Sequence, residues 1–313
     1  MTLFDYPGAP ENDHALTAVV AEMKRLDPDG TRAAKVFRRT FDQLYDGQRT
    51  GRFKVDQLFK TEKTHFGTLI EINLQREFEF VDGDVLDFRI AGHEVDCKYS
   101  HTGAWMLPPE SFEQLILVAQ ADDLQSQWSL GVVRATLANR RLSENRDKKT
   151  GLNSVGRSNV TWLHRNAPMQ PNVLAQLSPA DVKRIFASSS GQQRINELFR
   201  VAINRRLSRS IIATVAQQDD FMKRVRANGG AREKLQPEGY LVLGGDYAAQ
   251  VAVARALNIT IPEPGELVSV RVVPATRDDR NSVMLDGAWW RAALPSELIE
   301  VPAPTLTMLS NKA

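Results

Sequence analysis

The chain has 313 residues, of which 42% are hydrophobic and 25% charged, and its formal net charge is +2 at pH 7. This balance is typical of a globular protein with one large or two ordinary domains, and no uninterrupted apolar run is long enough to span a bilayer. The single cysteine, Cys97, excludes an intrachain disulfide and favours a reducing compartment. Residues 1–13 are polar and acidic, so we expect no signal peptide and a cytoplasmic protein.

In the first half of the chain, apolar residues recur at helical spacing and then give way to β-type runs. Residues 16–43 predict a helical region interrupted at 27–30, and residues 61–80 predict one long helix. The predicted strands are 84–90, 93–99, 115–119 and 128–133. A helix, a hairpin and further strands together predict a compact α/β domain.

The second half begins after a stretch rich in glycine, asparagine and proline between residues 150 and 180, where we place a domain boundary. The predicted domains are residues 1–166 and 173–313. Ser178, followed by Pro179 and Asp181, predicts the start of a helix. Further helices are expected at 193–207, at 208–217 and from about 219, and strands at 239–244, 268–273 and 283–292. Helices followed by a β-hairpin are the ingredients of a winged helix.

Positive charge is concentrated in two regions. Residues 171–240 contain 12 Lys and Arg against 6 Asp and Glu, and residues 134–149 contain 6 against 2. Such islands in a nearly neutral chain fit the binding of a polyanion. On charge alone, ordinary solvated helix faces are the competing interpretation.

The predicted hairpin contains the residues best suited to chemistry. Asp96 and Lys98 are two positions apart in a β run, so their side chains project from one face. If the turn is centred on residues 91–92, Asp87 falls opposite Asp96. Two aspartates this close repel each other unless a cation lies between them, and carboxylates beside a lysine suit Mg²⁺. The competing interpretation is an exposed cross-strand salt bridge, which contributes little.

Glu71 lies on the preceding predicted helix and completes the site if that helix packs against the sheet. An acid on a helix, an acid on a strand and then acid-x-Lys on the next strand resemble the PD-(D/E)xK nuclease superfamily. This resemblance implies an αβββαβ core. The proline of the superfamily pattern is absent, since Leu86 precedes Asp87.

The wider sequence resembles the NaeI-type restriction endonucleases, which are type II (IIE) enzymes. Residues 26–99 as a whole carry this resemblance. The most similar stretches are DQLYDGQRTGR (42–52), KTEKTH (60–65), EINL (71–74), VDCK (95–98), GAWMLPPES (103–111) and IIATVAQQDDFMKRVR (211–226). The likeness weakens between residues 120 and 190 and after residue 245.

The resemblance implies an N-terminal restriction-endonuclease-like cleavage domain and a C-terminal winged-helix effector domain similar to catabolite activator protein. It also implies a homodimer that binds two copies of GCCGGC, one cut and one acting as effector. Both strands of double-stranded DNA would be cut with Mg²⁺ to leave 5′-phosphates, in partnership with a cognate DNA methyltransferase. Glu71, Asp87, Asp96 and Lys98 fall on the family's catalytic positions, with the three acids as metal ligands.

Basic residues in the second half are the candidates for DNA contact. Lys223, Arg224 and Arg226 lie on the helix expected from about residue 219, which would be the second helix of a helix-turn-helix. Arg209 belongs to a basic block before it. In the first half, Arg146 is a candidate for the cleavage groove, with a surface loop as the competing interpretation.

Residues 44–49 resemble the K-x-D-G-x-R adenylation motif of DNA ligases. Leu44 replaces the lysine nucleophile and offers no nucleophilic atom, which excludes covalent adenylation. We interpret the stretch as a DNA-contacting or dimer-forming loop, or as an ordinary turn that ends a helix.

The leading hypothesis is therefore a type II site-specific restriction endonuclease. Two alternatives remain at this point. One is a PD-(D/E)xK nuclease of DNA repair or junction resolution, and the other is a non-catalytic regulator that uses only a winged helix.

Overall fold

The structure is a computed structural model that describes residues 13–143 and 145–306. Residues 1–12, on which the expected absence of a signal peptide rests, lie outside this range, as do residues 307–313. The described chain forms two compact units. The first contains the chain up to Leu44 together with Leu58–Pro171, and the second contains Tyr45–Gln57 and the chain from Asn172 onward. Within the described ranges, no helix is both long and apolar enough to cross a membrane.

Four helices open the described chain, a run of strands follows, and helices and strands are mixed in the rest. The helices are α1 (His14–Leu26), α2 (Thr31–Tyr45), α3 (Gly47–Thr50), α4 (Lys60–Phe78), α5 (Ser154–Ser158), α6 (Val173–Gln176), α7 (Pro179–Ile185), α8 (Gly191–Val201), α9 (Arg209–Ala216), α10 (Ala231–Lys234) and α11 (Ala248–Ala256). The strands are β1 (Val81–Asp82), β2 (Phe88–Ile90), β3 (His93–Tyr99), β4 (Met106–Leu107), β5 (Leu115–Asp122), β6 (Gln127–Arg134), β7 (Thr150–Gly151), β8 (Thr161–Pro168), β9 (Leu207–Ser208), β10 (Tyr240–Gly244), β11 (Glu266–Ala275), β12 (Val283–Leu285) and β13 (Ala288–Ala292). Short 3₁₀ helices lie at Val55–Gln57, Pro109–Ser111, Leu137–Asn139, Phe221–Val225 and Gln236–Glu238.

The break between α1 and α2 is confirmed and has a clear cause. The carboxylate of Asp27 accepts hydrogen bonds from the backbone N–H of Arg32 and Ala33, at 3.0 and 2.9 Å. These are N–H groups of the first turn of α2, which have no partner within the helix. Asp27 therefore stabilises the start of the second helix.

Helix α4 is the predicted long helix. The backbone N–H of Phe59 donates to the carboxylate of Glu62 at 2.8 Å, which fixes the first turn. The helix ends at Glu79, whose φ of 57° is left-handed. Its buried side is made by Phe66, Leu69, Ile70, Asn73, Leu74 and Phe78. The helix thereby presents one broad apolar side to its unit.

The first unit is organised by a six-stranded mixed sheet in the order β1-β2-β3-β5-β6-β8. Strands β3 and β5 are parallel, and the other neighbours are antiparallel. In the β2–β3 hairpin, Ile90 pairs with His93, which confirms the predicted turn. The crossover from β3 to β5 contains the 3₁₀ helix Pro109–Ser111. A buried cluster beside it contains Trp105, Leu107, Ile116, Val118 and Val133.

The strand predicted over residues 84–90 is too long, because β2 begins only at Phe88. The backbone N–H groups of residues 84–86 donate to the carboxylate of Glu94 instead of to a neighbouring strand. A β-type sequence run therefore becomes a loop where a side chain takes over the role of the sheet partner.

The second unit contains an antiparallel sheet in the order β10-β11-β13-β12, with β9 also paired to β11. The single strand predicted over residues 283–292 is wrong. Asp286 and Gly287 adopt φ of 50° and 78° and form a tight turn between β12 and β13. Asp-Gly is the sequence most typical of such two-residue hairpin turns.

The helix predicted over residues 193–207 is too long, because α8 ends at Val201 and Leu207 begins β9, which pairs with β11. The helix predicted over residues 208–217 is confirmed as α9. Ser178 caps α7 as predicted, with its hydroxyl accepting the N–H of Asp181 at 3.1 Å. The helix expected from about residue 219 is wrong, since this segment forms the 3₁₀ helix Phe221–Val225. Gly229, at φ 76°, adopts a conformation that favours glycine and separates this turn from α10. The predicted α/β class is confirmed as a mixed sheet in one unit and an antiparallel sheet in the other.

Candidate active site

Three of the four predicted catalytic residues meet at the β2–β3 hairpin. Asp87 lies directly before β2, and its carboxylate accepts the backbone N–H of Cys97 at 2.7 Å. Asp96 and Lys98 lie on β3. The Lys98 ammonium pairs with Asp96 and lies 3.8 Å from Asp87 Oδ2. We call Asp87, Asp96 and Lys98 the carboxylate–lysine cluster.

The cluster places two carboxylates in a partly buried position. The side chain of Asp96 is only 5% exposed. Burial, together with a hydrogen bond to Asp96, raises the pKa of the Asp87 carboxyl to about 7, against the opposing effect of the Cys97 N–H. Ionisation of Asp87 beside Asp96 is therefore unfavourable. A cation at this point would favour the charged form of Asp87.

Lys98 supplies one positive charge inside the cluster. Burial of the side chain opposes that charge. The nearby carboxylates of Asp96 and Asp87 favour it more strongly, so the pKa of Lys98 is raised above its ordinary value. Its ammonium also donates to the carbonyl of Cys97 at 3.0 Å. Lys98 is thus a protonated donor held on the same strand as Asp96.

Glu71 lies on α4 and is connected to the cluster through charge. Burial raises the pKa of its carboxyl, Lys98 lowers it, and Asp96 raises it further. Within the described residues, no three His, Cys, Asp or Glu side chains are grouped closely enough to hold a metal ion. The structure brings Asp87 and Asp96 together, and Glu71 interacts with Asp96 and Lys98 through charge, so its part in a three-carboxylate metal site stays a prediction.

Ser111 is a cluster neighbour that the sequence pattern did not single out. It ends the 3₁₀ helix Pro109–Ser111, is fully buried, and donates its hydroxyl to Asp96 Oδ2. The other oxygen of Asp96 pairs with Lys98. Both oxygens of Asp96 are thus held. The only sequence signal for Ser111 is its place at the end of the similar stretch 103–111.

Glu94 is a second residue that sequence reasoning missed. Hydrogen bonds from the backbone N–H groups of Asp84 and Leu86, with Arg89 also contributing, hold the pKa of its carboxyl at about 2. Nothing in the pattern of alternating residues marks it, because it looks like an ordinary polar position of a strand. Glu94 is therefore charged under all ordinary conditions.

The predicted DNA-binding residues of the second unit differ in their surroundings. Lys223 is exposed and pairs with Asp220 at 2.5 Å. Arg224 is half-buried, and its Nε donates to Gln218 Oε1 at 2.6 Å. Arg226 is exposed. Arg224 is thus committed to holding its own turn, whereas the side chains of the other two lie on the surface.

Arg209 and Arg146 are exposed in different units. Arg209 is the first residue of α9 in the second unit. Arg146 lies in a turn of the first unit where the backbone N–H of Asn145 donates to the carbonyl of Lys149 at 2.9 Å.

The ligase-like stretch at residues 44–49 spans the end of α2 and the start of α3. Gly47 packs so closely on α9 that a Cβ there would lie 2.1 Å from the hydroxyl of Thr214. The amide of Gln48 donates to the carbonyl of Gln218 at 3.3 Å. The stretch thus packs against the turn that follows α9 within the second unit. Its contact with DNA remains a prediction.

Comparison with known proteins gives two findings. The family described as restriction endonuclease NaeI matches residues 17–301. The chain is also 48% identical over 303 residues to the type II restriction enzyme NaeI of Lentzea aerocolonigenes, with 93% of this chain and 95% of that enzyme covered. Both matches extend over the two units.

Proposed function

Because this chain belongs to the restriction endonuclease NaeI family, we propose that it is a type II site-specific endonuclease that hydrolyses phosphodiester bonds in both strands of double-stranded DNA. The carboxylate–lysine cluster at the β2–β3 hairpin is the observation that carries this proposal. The family resemblance supports GCCGGC as the target and 5′-phosphates as the ends. It also supports a homodimer that binds an effector DNA copy, paired with a methyltransferase that protects the host.

Each residue of the carboxylate–lysine cluster has a distinct proposed role. Asp87, directly before β2, and Asp96, on β3, present carboxylate oxygens, and the Cys97 N–H and the Ser111 hydroxyl fix their orientation. Lys98, protonated and half-buried, is placed to offset the negative charge that develops on the scissile phosphate. Their fixed positions lower the cost of ordering the site during reaction.

The donor set fits Mg²⁺. This ion usually takes one or two carboxylates and completes its shell with water and phosphate oxygens, so the Asp87–Asp96 pair suffices. Burial, together with the neighbouring Asp96, raises the pKa of Asp87, and a divalent cation would favour its charged form. When bound, Mg²⁺ lowers the pKa of a coordinated water and stabilises phosphate charge. Glu71, on α4, interacts electrostatically with Lys98 and Asp96 and would be the third acid of the metal site.

The second unit supports the proposal of a winged-helix effector domain within residues 173–313. The proposed cleavage domain lies within residues 1–166. Helices α8 and α9 and the turn at Phe221–Val225 are followed by α10, β10, α11 and β11. The two neighbouring helices supply the start of a helix-turn-helix, and the later paired strands supply a candidate β-wing. Three exposed basic side chains are available for contact with DNA phosphates: Lys223, Arg226 and Arg209. Arg224 orders the Phe221–Val225 turn through its hydrogen bond to Gln218. Arg146 serves the cleavage domain.

A plasmid cleavage assay tests this function. Supercoiled plasmids with one or two GCCGGC sites are incubated with Mg²⁺ or with EDTA, and the ends are sequenced. We expect Mg²⁺-dependent double-strand cuts at GCCGGC, faster on the two-site plasmid. Asp96→Asn should abolish cutting and retain DNA binding. Nicking confined to branched DNA would instead assign a repair nuclease, and binding without any cleavage would assign a regulator.

A further inference from the structure

Glu94 lies on β3, two residues before Asp96, and its carboxylate is the acceptor for the chain segment that leads into Asp87. The backbone N–H groups of residues 84–86 donate to it at 2.9, 3.2 and 2.9 Å. Successive backbone N–H groups that converge on one anion form a nest, which fixes the backbone that carries them. The segment before Asp87 is therefore wrapped around a side chain of the neighbouring strand.

Two further contacts complete this arrangement. Arg89 Nη2 donates to Glu94 Oε1 at 3.0 Å and also pairs with Asp84. A Cβ at Gly83 would lie 2.2 Å from the carbonyl oxygen of Leu86 and 2.8 Å from Glu94 Oε2. A glycine at position 83 thus allows the segment to close around the carboxylate.

The residue before Asp87 explains why such an anchor is needed. The PD-(D/E)xK pattern has proline there, whose ring fixes φ and which has no backbone N–H. Leu86 has neither the ring nor its restraint, but it keeps the N–H that donates to Glu94 at 2.9 Å. A hydrogen-bonded carboxylate replaces a covalent ring as the restraint on this segment.

We propose that Glu94 is a positioning residue that holds Asp87 at its working distance from Asp96. Strand β3 then supplies Asp96 itself, the Cys97 N–H that binds the Asp87 carboxylate, and Glu94, which anchors the segment before Asp87. One strand therefore sets the spacing between both carboxylates. The role rests on the proposed nuclease function, since it acts through Asp87.

Glu94→Gln is the sharpest test, because it keeps the size of the side chain and replaces one acceptor oxygen by an NH₂ group. We expect cleavage at saturating DNA to fall roughly 10–100-fold, with a higher Mg²⁺ requirement and unchanged DNA affinity in EDTA. Hydrogen–deuterium exchange of the amides of residues 84–86 should become faster. The matched control is Glu22→Gln, which makes the same change in a glutamate of α1 that pairs with Arg25 and should leave cleavage and exchange near wild type.

The readouts separate the possible failures. Wild-type cleavage and wild-type exchange in Glu94→Gln would overturn the proposal. A variant that loses DNA affinity and melts at a lower temperature in proportion to its activity would also overturn it, since the residue would then be merely structural. If the wild-type protein cuts no DNA, the proposed function fails. In that case, faster exchange at residues 84–86 still supports the anchoring, and unchanged exchange refutes it.

Discussion

Two charged regions of the molecule differ in how far their side chains are exposed. One is the carboxylate–lysine cluster of the first unit, and the other is the basic segment at residues 223–226 of the second unit. In the cluster, Asp96 is 5% exposed and Lys98 24%. In the basic segment, Lys223 and its partner Asp220 are 59% and 52% exposed. Removing one partner of a buried pair leaves an uncompensated charge, whereas an exposed pair is screened by water and salt. The cluster is therefore a fixed geometry, whereas the exposed side chains of Lys223 and Arg226 in the basic segment can reorganise around a ligand.

The largest effect is expected from Asp96→Asn, which removes the central charge of the cluster. Cleavage should fall more than about 100-fold, because Asp96 is proposed as a direct metal ligand and the loss of such a ligand costs more than that of an outer-shell partner. The single-turnover cleavage rate at saturating Mg²⁺ measures it. Affinity for a GCCGGC duplex in EDTA serves as the control and should stay within about twofold. Cleavage near the wild-type rate would remove Asp96 from the site.

Ser111→Ala tests whether both oxygens of Asp96 must be held. We expect a loss of about 1–3 kcal/mol in the free energy of unfolding, because a buried acceptor loses its donor. Cleavage should fall roughly tenfold. Urea unfolding and single-turnover cleavage give the two values. Ser158→Ala, at an exposed serine, is the matched control and should change neither. Equal behaviour of the two variants would show that the Ser111 hydroxyl is dispensable.

Within the basic segment, Arg224 and Arg226 should respond differently to alanine. Arg224→Ala should lower the free energy of unfolding by about 1 kcal/mol, because its hydrogen bond to Gln218 is lost. Arg226→Ala should leave stability unchanged and reduce the slope of log affinity against log salt by about 1. Urea unfolding and DNA binding at several salt concentrations separate the two. A reversed pattern would show that Arg224 contacts DNA and Arg226 does not.

The smallest effect is expected from Asp220→Asn, which breaks the exposed pair with Lys223. The urea midpoint should not move measurably, because such pairs contribute little. DNA affinity at low salt should rise modestly, since Lys223 no longer has a competing carboxylate beside it. Affinity that falls instead would indicate that the pair holds Lys223 in its binding geometry.

The β2–β3 hairpin was predictable because its geometry follows from local rules. A turn at residues 91–92 and a period of two suffice to place Asp87 near Asp96 and to give the bounds of β3 correctly. The family resemblance then identified the chain. The residue at which β2 begins was not predictable, since it depends on which acceptor takes the N–H groups of residues 84–86.

Contacts between distant parts of the chain account for the other gaps. Ser111 reaches Asp96 only through the crossover from β3 to β5, and no local pattern states where that loop returns. The sequence predicted a helix from about residue 219, yet a 3₁₀ turn forms there. The side chain of Arg224 donates to Gln218, and the backbone carbonyl of Arg224 accepts the side-chain amide of Gln192 at 2.9 Å. Periodicity describes a possible helix, whereas these bonds decide whether it forms.

The segment Tyr45–Gln57 has a consequence for anyone who dissects this protein. Phe53 is buried in the core of the second unit, and the side-chain amide of Asn172 donates to its carbonyl at 2.8 Å. The chain thus passes from one unit to the other three times, after Leu44, after Gln57 and after Pro171. A fragment that begins at residue 172 lacks α3 and Phe53 and would leave apolar surface of the second unit bare. The second unit therefore cannot be expressed intact from residue 172 alone. A protein that is to contain the complete second unit must also include residues 45–57.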